Sequence, residues 1–321
     1  MGHRYSKRTQ LKYTKQRYRV RNWRQYEVGL RRRGDLTLWF SEEAIAAWWA
    51  PTGKKPGGQP VYSDLAIEAA LTVRFVYGLA LRQTEGFFQS ISTLLDLGLR
   101  IPDHTTLSRR SKALNVRLCP SAKHGPVHIL VDSTGLRVHS GNALGSGPPP
   151  KRRAWRKLHI VVDADTGDIL ASALTTHRAR DAAQVPVLLA QVDDPLASAM
   201  ADGAYDTSSV YAAIEAHRSG PPPQILIPSR KDAQTKGGAN ASSQRDATIR
   251  AIDARGRRRW AHESGYTRRS LVETAMSRYK AIIGSSMRSR TMPPQNTEAT
   301  LACAILNKMA QLGMPDGYCI A

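Results

Sequence analysis

Residues 265–280, GYTRRSLVETAMSRYK, hold one acid, Glu273, among the cations Arg268, Arg269, Arg278 and Lys280. On an α-helix, at about 100° per residue, Tyr266, Arg269, Glu273 and Lys280 fall within an arc of roughly 60° while spanning about four turns. Arg269 and Glu273 form an i,i+4 ion pair on such a helix, which accounts for two of the four. A stripe with cations at its ends and a carboxylate in its middle suits a polyanion lying across a metal site. The cations take phosphate and the carboxylate takes the ion. Two further acids have the right setting: Asp132 follows the apolar run HILV, and Asp202 follows SAMA. Three carboxylates can hold two Mg²⁺ ions about 3.5–4 Å apart, which polarise a phosphodiester, activate water and stabilise the leaving oxygen. Taken singly, Asp132 before Ser133-Thr134-Gly135 and Asp202 before Gly203 also read as turn residues.

The surrounding pattern says how these acids are brought together. VHILVDSTGLRVHS reads as a strand, and KLHIVVDADTGDILASALTTH as two strands around an Asp-Thr-Gly turn. RDAAQVPVLLAQV is a helix, LASAMADGAY a strand, TSSVYAAIEAHR a helix and QILIPSR a strand; after a polar, Gly-rich stretch at 232–246 come helices. Strands joined by tight turns form an antiparallel meander, and strands reached through helices return parallel to the first. The expected fold is therefore α/β, with a mixed five-stranded sheet and flanking helices. Sites in such sheets gather at the carboxyl ends of parallel strands. If the first and fourth strands are neighbours, Asp132 and Asp202 meet there. Asp163 lies on the antiparallel partner and belongs at the opposite edge. With Asp165 and Asp168 it reads as turn chemistry, whereas Asp181 and Asp206 read as helix N-caps.

Upstream, residues 1–33 carry twelve Lys/Arg and one acid, Glu27, interleaved with Tyr5, Tyr13, Tyr18, Trp23 and Tyr26. That is either a basic arm for a nucleic-acid backbone or a solvated tail. Ser41 reads as a helix N-cap, and PTGKKPGGQP at 51–60 as a linker. Three helices follow between 63 and about 117, started by Ser63 or Asp64 and, for the basic third helix, by Asp103. This is a helix-turn-helix-like DNA-binding pattern, shared with plain helical bundles. The expected divisions are an arm and linker at 1–60, a helical domain at 61–122 and a catalytic domain at 123–321.

Lys plus Arg number 47 against 26 Asp plus Glu, a net charge of +21 and a pI near 10.3. Such a surface attracts polyanions, and nucleic acid foremost. Cys119, Cys303 and Cys319 show neither zinc spacing nor a disulfide framework, which fits a reducing compartment. No apolar run approaches the ~18 residues of a membrane span, and the basic N-terminus has no apolar segment behind it. A soluble cytoplasmic protein with no membrane partner and no small-molecule substrate is expected.

GYTRRSLVETAMSRYK fits the Y-x2-R-x3-E-x6-K signature of bacterial DDE transposases through Tyr266, Arg269, Glu273 and Lys280. LVDSTGLRV, KRRAWRKLHIVVDADTGDIL, ADGAYDT and RRSLVETAMSRYKAIIG resemble the insertion sequence 5 family, and NWRQYEVGLRRRGDLTLWF is similar to its N-terminal region. The resemblance covers nearly the whole chain. It implies an RNase H-like catalytic domain that cleaves DNA at element ends and joins them to target DNA. It makes Asp132, Asp202 and Glu273 the catalytic, metal-binding triad for two Mg²⁺ ions, with Mn²⁺ able to substitute. Tyr266, Arg269 and Lys280 become contacts to DNA phosphates, and Arg156 and Lys157 lie with Trp155 in a recurring segment assigned to DNA. A homodimer on paired ends, in the nucleoid of a bacterial cytoplasm, follows by analogy. The sequence departs from the family in the hairpin HSGNALGSGPPPKRRAW, which in the family is often longer and more charged. Two alternatives share the charge and fold: a catalytically inactive or domesticated DNA-binding regulator, and an RNase H-like nuclease that does not transpose. The complete carboxylate set argues against the first.

Overall fold

The computed structural model describes residues 17–51, 57–121, 125–138, 155–217, 221–230, 232–235 and 243–320. The first part of the basic arm and the Gly/Pro-rich hairpin tip lie outside the described residues.

The N-terminal half is helical after one short strand, β1 (Arg17–Val20). The helices are α1 (Trp23–Arg32), α2 (Leu36–Trp39), α3 (Glu42–Ala46), α4 (Asp64–Val76), α5 (Leu81–Leu94) and α6 (His104–Arg110). Three starts follow the expected capping chemistry. Ser41 Oγ accepts from Ala44 N at 3.4 Å, Ser63 Oγ from Ala66 N at 3.0 Å and Asp103 Oδ1 from Thr106 N at 2.6 Å. The helices close on Trp39, Phe40, Trp48, Ile67, Leu71, Phe75, Phe88 and Leu107, all buried. Phe40 meets Trp48 and Phe88 edge-on, with centroids 5.6 and 5.1 Å apart. Residues from Trp39 to Trp48, read from sequence as part of an arm and linker, thus belong to the helical core.

The second half is built on a sheet of β2 (Val127–Val138), β3 (Trp155–Asp163), β4 (Ile169–Thr176), β5 (Leu196–Ala201), β6 (Gln224–Leu226) and β7 (Ser286–Met287). The order is β4-β3-β2-β5-β6, with β7 pairing the far end of β2. β2, β3 and β4 form the antiparallel meander, and β5 and β6 run parallel to β2. This is the expected mixed sheet plus a sixth strand. Two-residue β7 is too short for any periodicity to announce it, and it forms because β2 outruns β5 and leaves backbone groups to pair.

Alternation along β2 and β3 sends side chains to opposite faces. Leu130, Leu136, Leu158, Ile160 and Val162 pack against α11 (Ser270–Ile282) and α12 (Met292–Gln311). Val127, Ile129, Val131 and Val161 pack against α7 (Val185–Leu189) and α8 (Ser208–Glu215). Between β6 and α11 run α9 (Ser243–Arg255) and α10 (Arg257–Glu263), and β8 (Gly317–Ile320) pairs antiparallel with β1. Helix α12 joins both halves: Leu301, Ile305 and Met309 enter the helical core, and Ala302, Cys303 and Leu306 the sheet core.

Asp163 sits opposite Ile129, at the edge away from Asp132. It accepts from Thr166 N at 3.2 Å and Thr166 Oγ1 at 2.8 Å, closing the turn to β4.

Candidate active site

The parallel pairing of β2 with β5 ends at Val131 opposite Ala201, so Asp132 and Asp202 are the next residue on each strand. The two strands part here. β2 continues through Asp132 to Val138, so the apolar run ends at Asp132 but the strand does not. β5 stops, and Asp202 turns the chain into a 3-10 helix, Gly203–Tyr205, accepting from Ala204 N at 2.8 Å. Asp132 Oδ1 accepts from its neighbour Ser133 N at 2.7 Å. Burial pushes the Asp132 carboxyl above the usual carboxylate range; the Ser133 N–H and Arg269 oppose that shift, and the nearby Asp202 charge adds to it.

The signature segment supplies the third side. Tyr266–Arg269 form a 3-10 turn, and the α-helix begins only at Ser270, so the helical stripe is not one continuous α-helix. At three residues per turn, Tyr266 and Arg269 stack in line, and the helix carries Glu273 and Lys280 on one face beyond them. Arg269 Nη1 donates to Asp132 Oδ2 at 2.9 Å, and Arg269 Nη2 donates to Glu273 Oε1. Tyr266 Oη donates to Ala201 O at 3.2 Å, and its ring lies 5.3 Å from that of Trp260. Burial, ahead of its charged neighbours, pushes the Tyr266 hydroxyl up to about 12. Tyr266 therefore ties the start of α11 to the end of β5, one residue before Asp202. Lys280 is exposed two turns past Glu273.

Arg156 and Lys157, on β3, are engaged within the protein. Arg156 Nε donates to Gln295 Oε1 at 2.8 Å. Lys157 Nζ donates to Ala179 O at 3.0 Å and to Asp181 Oδ1 at 2.9 Å.

Two acids expected to be helix caps are not. Asp181 precedes the 3-10 turn Ala182–Gln184 but makes no capping bond; its carboxylate accepts from Ser133 Oγ at 3.0 Å as well as from Lys157. Asp206 is fully buried and grips Arg245 through both oxygens, at 2.7 and 3.1 Å, while Arg230 N donates to it at 3.1 Å. Thr207 occupies the cap position of α8. In both cases the true partner lies dozens of residues away, and no local pattern marks it.

Asp132, Asp202 and Glu273 supply the carboxylate oxygens that hard divalent cations take. In this structure the Arg269 guanidinium stands in as the cation between Asp132 and Glu273. Among the described residues no three His, Cys, Asp or Glu side chains stand close enough together to grip one ion; Glu273 is held to Arg269. The donor chemistry fits a divalent ion.

The fold is a mixed α/β sheet with flanking helices, with Asp132 and Asp202 at the β2/β5 parting and Glu273 on a late helix. Residues 123–308 match the family model described as "Transposase DDE domain", and residues 31–141 match a second model of the same description. The chain belongs to the DDE transposase family, the DNA transposases that generally work with divalent metal ions. Among solved structures the chain is similar to a piggyBac transposase in a synaptic complex with hairpin DNA. The identity is 10%, the match covers 86% of this chain and 74% of that chain, and the TM-score is 0.37. That likeness is distant, and the family match carries the assignment. Among the described residues, no helix is long and apolar enough to cross a membrane.

Proposed function

We propose that this transposase acts as a member of the insertion sequence 5 group. It binds the terminal inverted repeats of its element, cuts at the element ends and joins them to target DNA. The observation that carries this reading is the convergence of Asp132, Asp202 and the Arg269–Glu273 pair at the parting of β2 and β5. The signature spacing supports the group assignment.

In this reading Asp132, Asp202 and Glu273 hold two Mg²⁺ ions, or Mn²⁺ in their place. Bound there, the ions supply Lewis-acid stabilisation of the scissile phosphate and lower the pKa of an attacking water. The chain's own residues position the DNA. Arg269 leaves the carboxylates for a phosphate oxygen, and Lys280 takes a phosphate further along the same face. Tyr266 braces the end of β5 beside the phosphate path. Arg156 lines the β3 side of the duplex path, its Nε fixed by Gln295. Water adds to phosphorus as the bond to the 3′-oxygen breaks, leaving a 3′-hydroxyl. That hydroxyl then adds to a target phosphodiester and expels its bridging oxygen. Positioning and charge stabilisation do most of the work, with no covalent protein–DNA intermediate.

The basic arm and the helical domain, whose core takes in Trp39, Phe40 and Trp48, provide sequence-dependent DNA binding, and 123–321 provides the chemistry. Two ends need two active sites, so a homodimer on paired ends, working in the bacterial nucleoid, is the expected assembly.

The test uses a plasmid carrying the coding region with its native flanking DNA, purified protein and Mg²⁺. Wild type should give strand cleavage and joined products. Glu273→Gln should lower cleavage by about 10³-fold or more while leaving salt-sensitive DNA binding intact. Undiminished cleavage by Glu273→Gln would sink the site. Cleavage without joined products would make the protein a nuclease, and binding without cleavage a regulator.

A further inference from the structure

A polar cluster lies behind the site, on the face of the sheet opposite Asp132. Ser133 follows Asp132 on β2 and so points to the other face. Its hydroxyl donates to Asp181 Oδ1 at 3.0 Å. Lys157, on β3, donates to the same oxygen at 2.9 Å. His159, fully buried two residues further along β3, places Nδ1 3.6 Å from it, and its Nε2 lies 2.8 Å from Thr175 Oγ1. One carboxylate on the loop after β4 thus reaches back across β3 to β2.

The cluster also touches the other strand of the site. Tyr205 ends the turn that Asp202 begins. It is 1% exposed, and its hydroxyl lies beside Ser133 within reach of the charges of Asp181, Asp132 and Asp202. Among the described residues His159 Nδ1 is buried without a hydrogen bond. Asp181 is the acid these groups share, and an anion there offsets the Lys157 ammonium. Without it, directly behind Asp132, the Ser133 hydroxyl would lose its acceptor and the partly buried Lys157 ammonium would be left with the neutral Ala179 carbonyl.

We infer that Asp181 is a positioning residue for the reacting carboxylates, and that Lys157 serves it rather than DNA. Asp181 fixes Ser133 through its hydroxyl, and the Ser133 N–H in turn fixes Asp132 Oδ1 at 2.7 Å. The chain Lys157–Asp181–Ser133–Asp132 is a supporting shell of the kind that sets the orientation of metal-binding carboxylates. This rests on Asp132 and Asp202 being the reacting pair, as proposed above.

The experiment compares full-length wild type with Asp181→Asn, Ser133→Ala, Lys157→Met, Lys157→Arg and Asp132→Asn. Three quantities are read: cleavage of the plasmid bearing the native flanks, Mn²⁺ affinity of the protein alone by EPR, and the salt dependence of binding to a mixed-sequence duplex. Asp181→Asn should lower cleavage and Mn²⁺ affinity by about 10–100-fold. Ser133→Ala, which removes only a hydroxyl and so spares the fold, should move both in the same direction. Lys157→Met should do likewise with an unchanged salt slope, and Lys157→Arg should restore most of the loss. Wild-type cleavage and Mn²⁺ affinity in Asp181→Asn or in Ser133→Ala, with Asp132→Asn inactive, would overturn the positioning role alone. A salt slope reduced by about one in Lys157→Met would make that lysine a phosphate contact and overturn its assignment here. Full activity in Asp132→Asn would instead overturn the active-site reading on which the inference stands.

Discussion

Arg269 Nη1 lies 2.9 Å from Asp132 Oδ2, across 137 residues of sequence, and its other terminal nitrogen is bonded to Glu273. One guanidinium therefore faces two of the three acids of the site. Burial disfavours its charge, but Tyr266, Asp132, Glu273 and Asp202 outweigh that and hold it more firmly protonated than an ordinary arginine. The ion pair within the signature helix is one half of a bridge between that helix and the sheet.

A bridge of this kind competes with any cation that needs the same oxygens. Removing it in Arg269→Gln should tighten Mn²⁺ binding by the DNA-free protein several-fold, since the competing charge is gone. On the proposed role of Arg269 as a phosphate contact, the same variant should cleave at least about 10-fold more slowly. Calorimetric or EPR titration without DNA, set beside a cleavage time course, separates the two effects. Unchanged Mn²⁺ affinity would mean that the guanidinium does not compete.

The buried pair Asp206–Arg245 has a different role. It joins the end of the turn after β5 to α9 and to Arg230 N. Removing the carboxylate takes two charge-assisted bonds from Arg245 in a largely buried place and leaves it the bond to Gln234 O at 3.1 Å, at a cost of about 3 kcal/mol. Asp206→Ala should therefore lower the urea midpoint by that equivalent at unchanged slope. A loss below about 1 kcal/mol would show that water reaches and solvates Arg245 once its partner is removed.

These two arginines mark how far the sequence could be read. Arg269 with Glu273 was legible because helix geometry links residues four apart. Asp132 with Asp202 was legible because topology alone brings the ends of neighbouring parallel strands together. The bond from Arg269 to Asp132 was not, since nothing local says how α11 is rotated against the sheet. Asp181 and Asp206 were misread for the same reason. An aspartate before a helix is an N-cap by default, and only the folded chain shows that Ser133, Lys157 and Arg245 claim these carboxylates first. The short strand β7 and the 3-10 start of the signature segment were hidden because each is set by tertiary packing on a few residues.

Where the cap reading held, it has a pH consequence. Asp103 accepts from Thr105 Oγ1 and Thr106 N, and these bonds hold its carboxyl down to about 2 from the ordinary 3.8. A lowered folded value means that its contribution to stability is fully present above the unfolded pKa and is lost as pH falls through about 2. The destabilisation caused by Asp103→Ala should therefore be constant from neutral pH to about pH 5 and shrink between pH 4 and 2. Carboxyl ¹³C shifts of wild type should show Asp103 still ionised at pH 3. Protonation of Asp103 near pH 4 would show that the two bonds do not persist in solution.

Helix α1 and the segment after α12 meet over a close backbone approach. A Cβ on Gly29 would stand 2.5 Å from the Leu312 carbonyl oxygen, where no flexible side chain can yield. Helix α1 can therefore lie against the segment after α12 only while position 29 is glycine, and β1–β8 pairing and the bond from Arg33 Nη2 to Gly313 O, 3.1 Å, depend on that seat. Gly29→Ala should overpack this contact and cost about 1–3 kcal/mol. Hydrogen exchange should rise at Arg17–Val20 and Gly317–Ile320 while the amides of β2 and β3 keep their protection. DNA binding at moderate salt should weaken, because Arg17 loses its place opposite Ile320 and Arg19 and Arg21 lose theirs beside Tyr318. Exchange at both termini unchanged in Gly29→Ala would show that this seat does not hold the ends together.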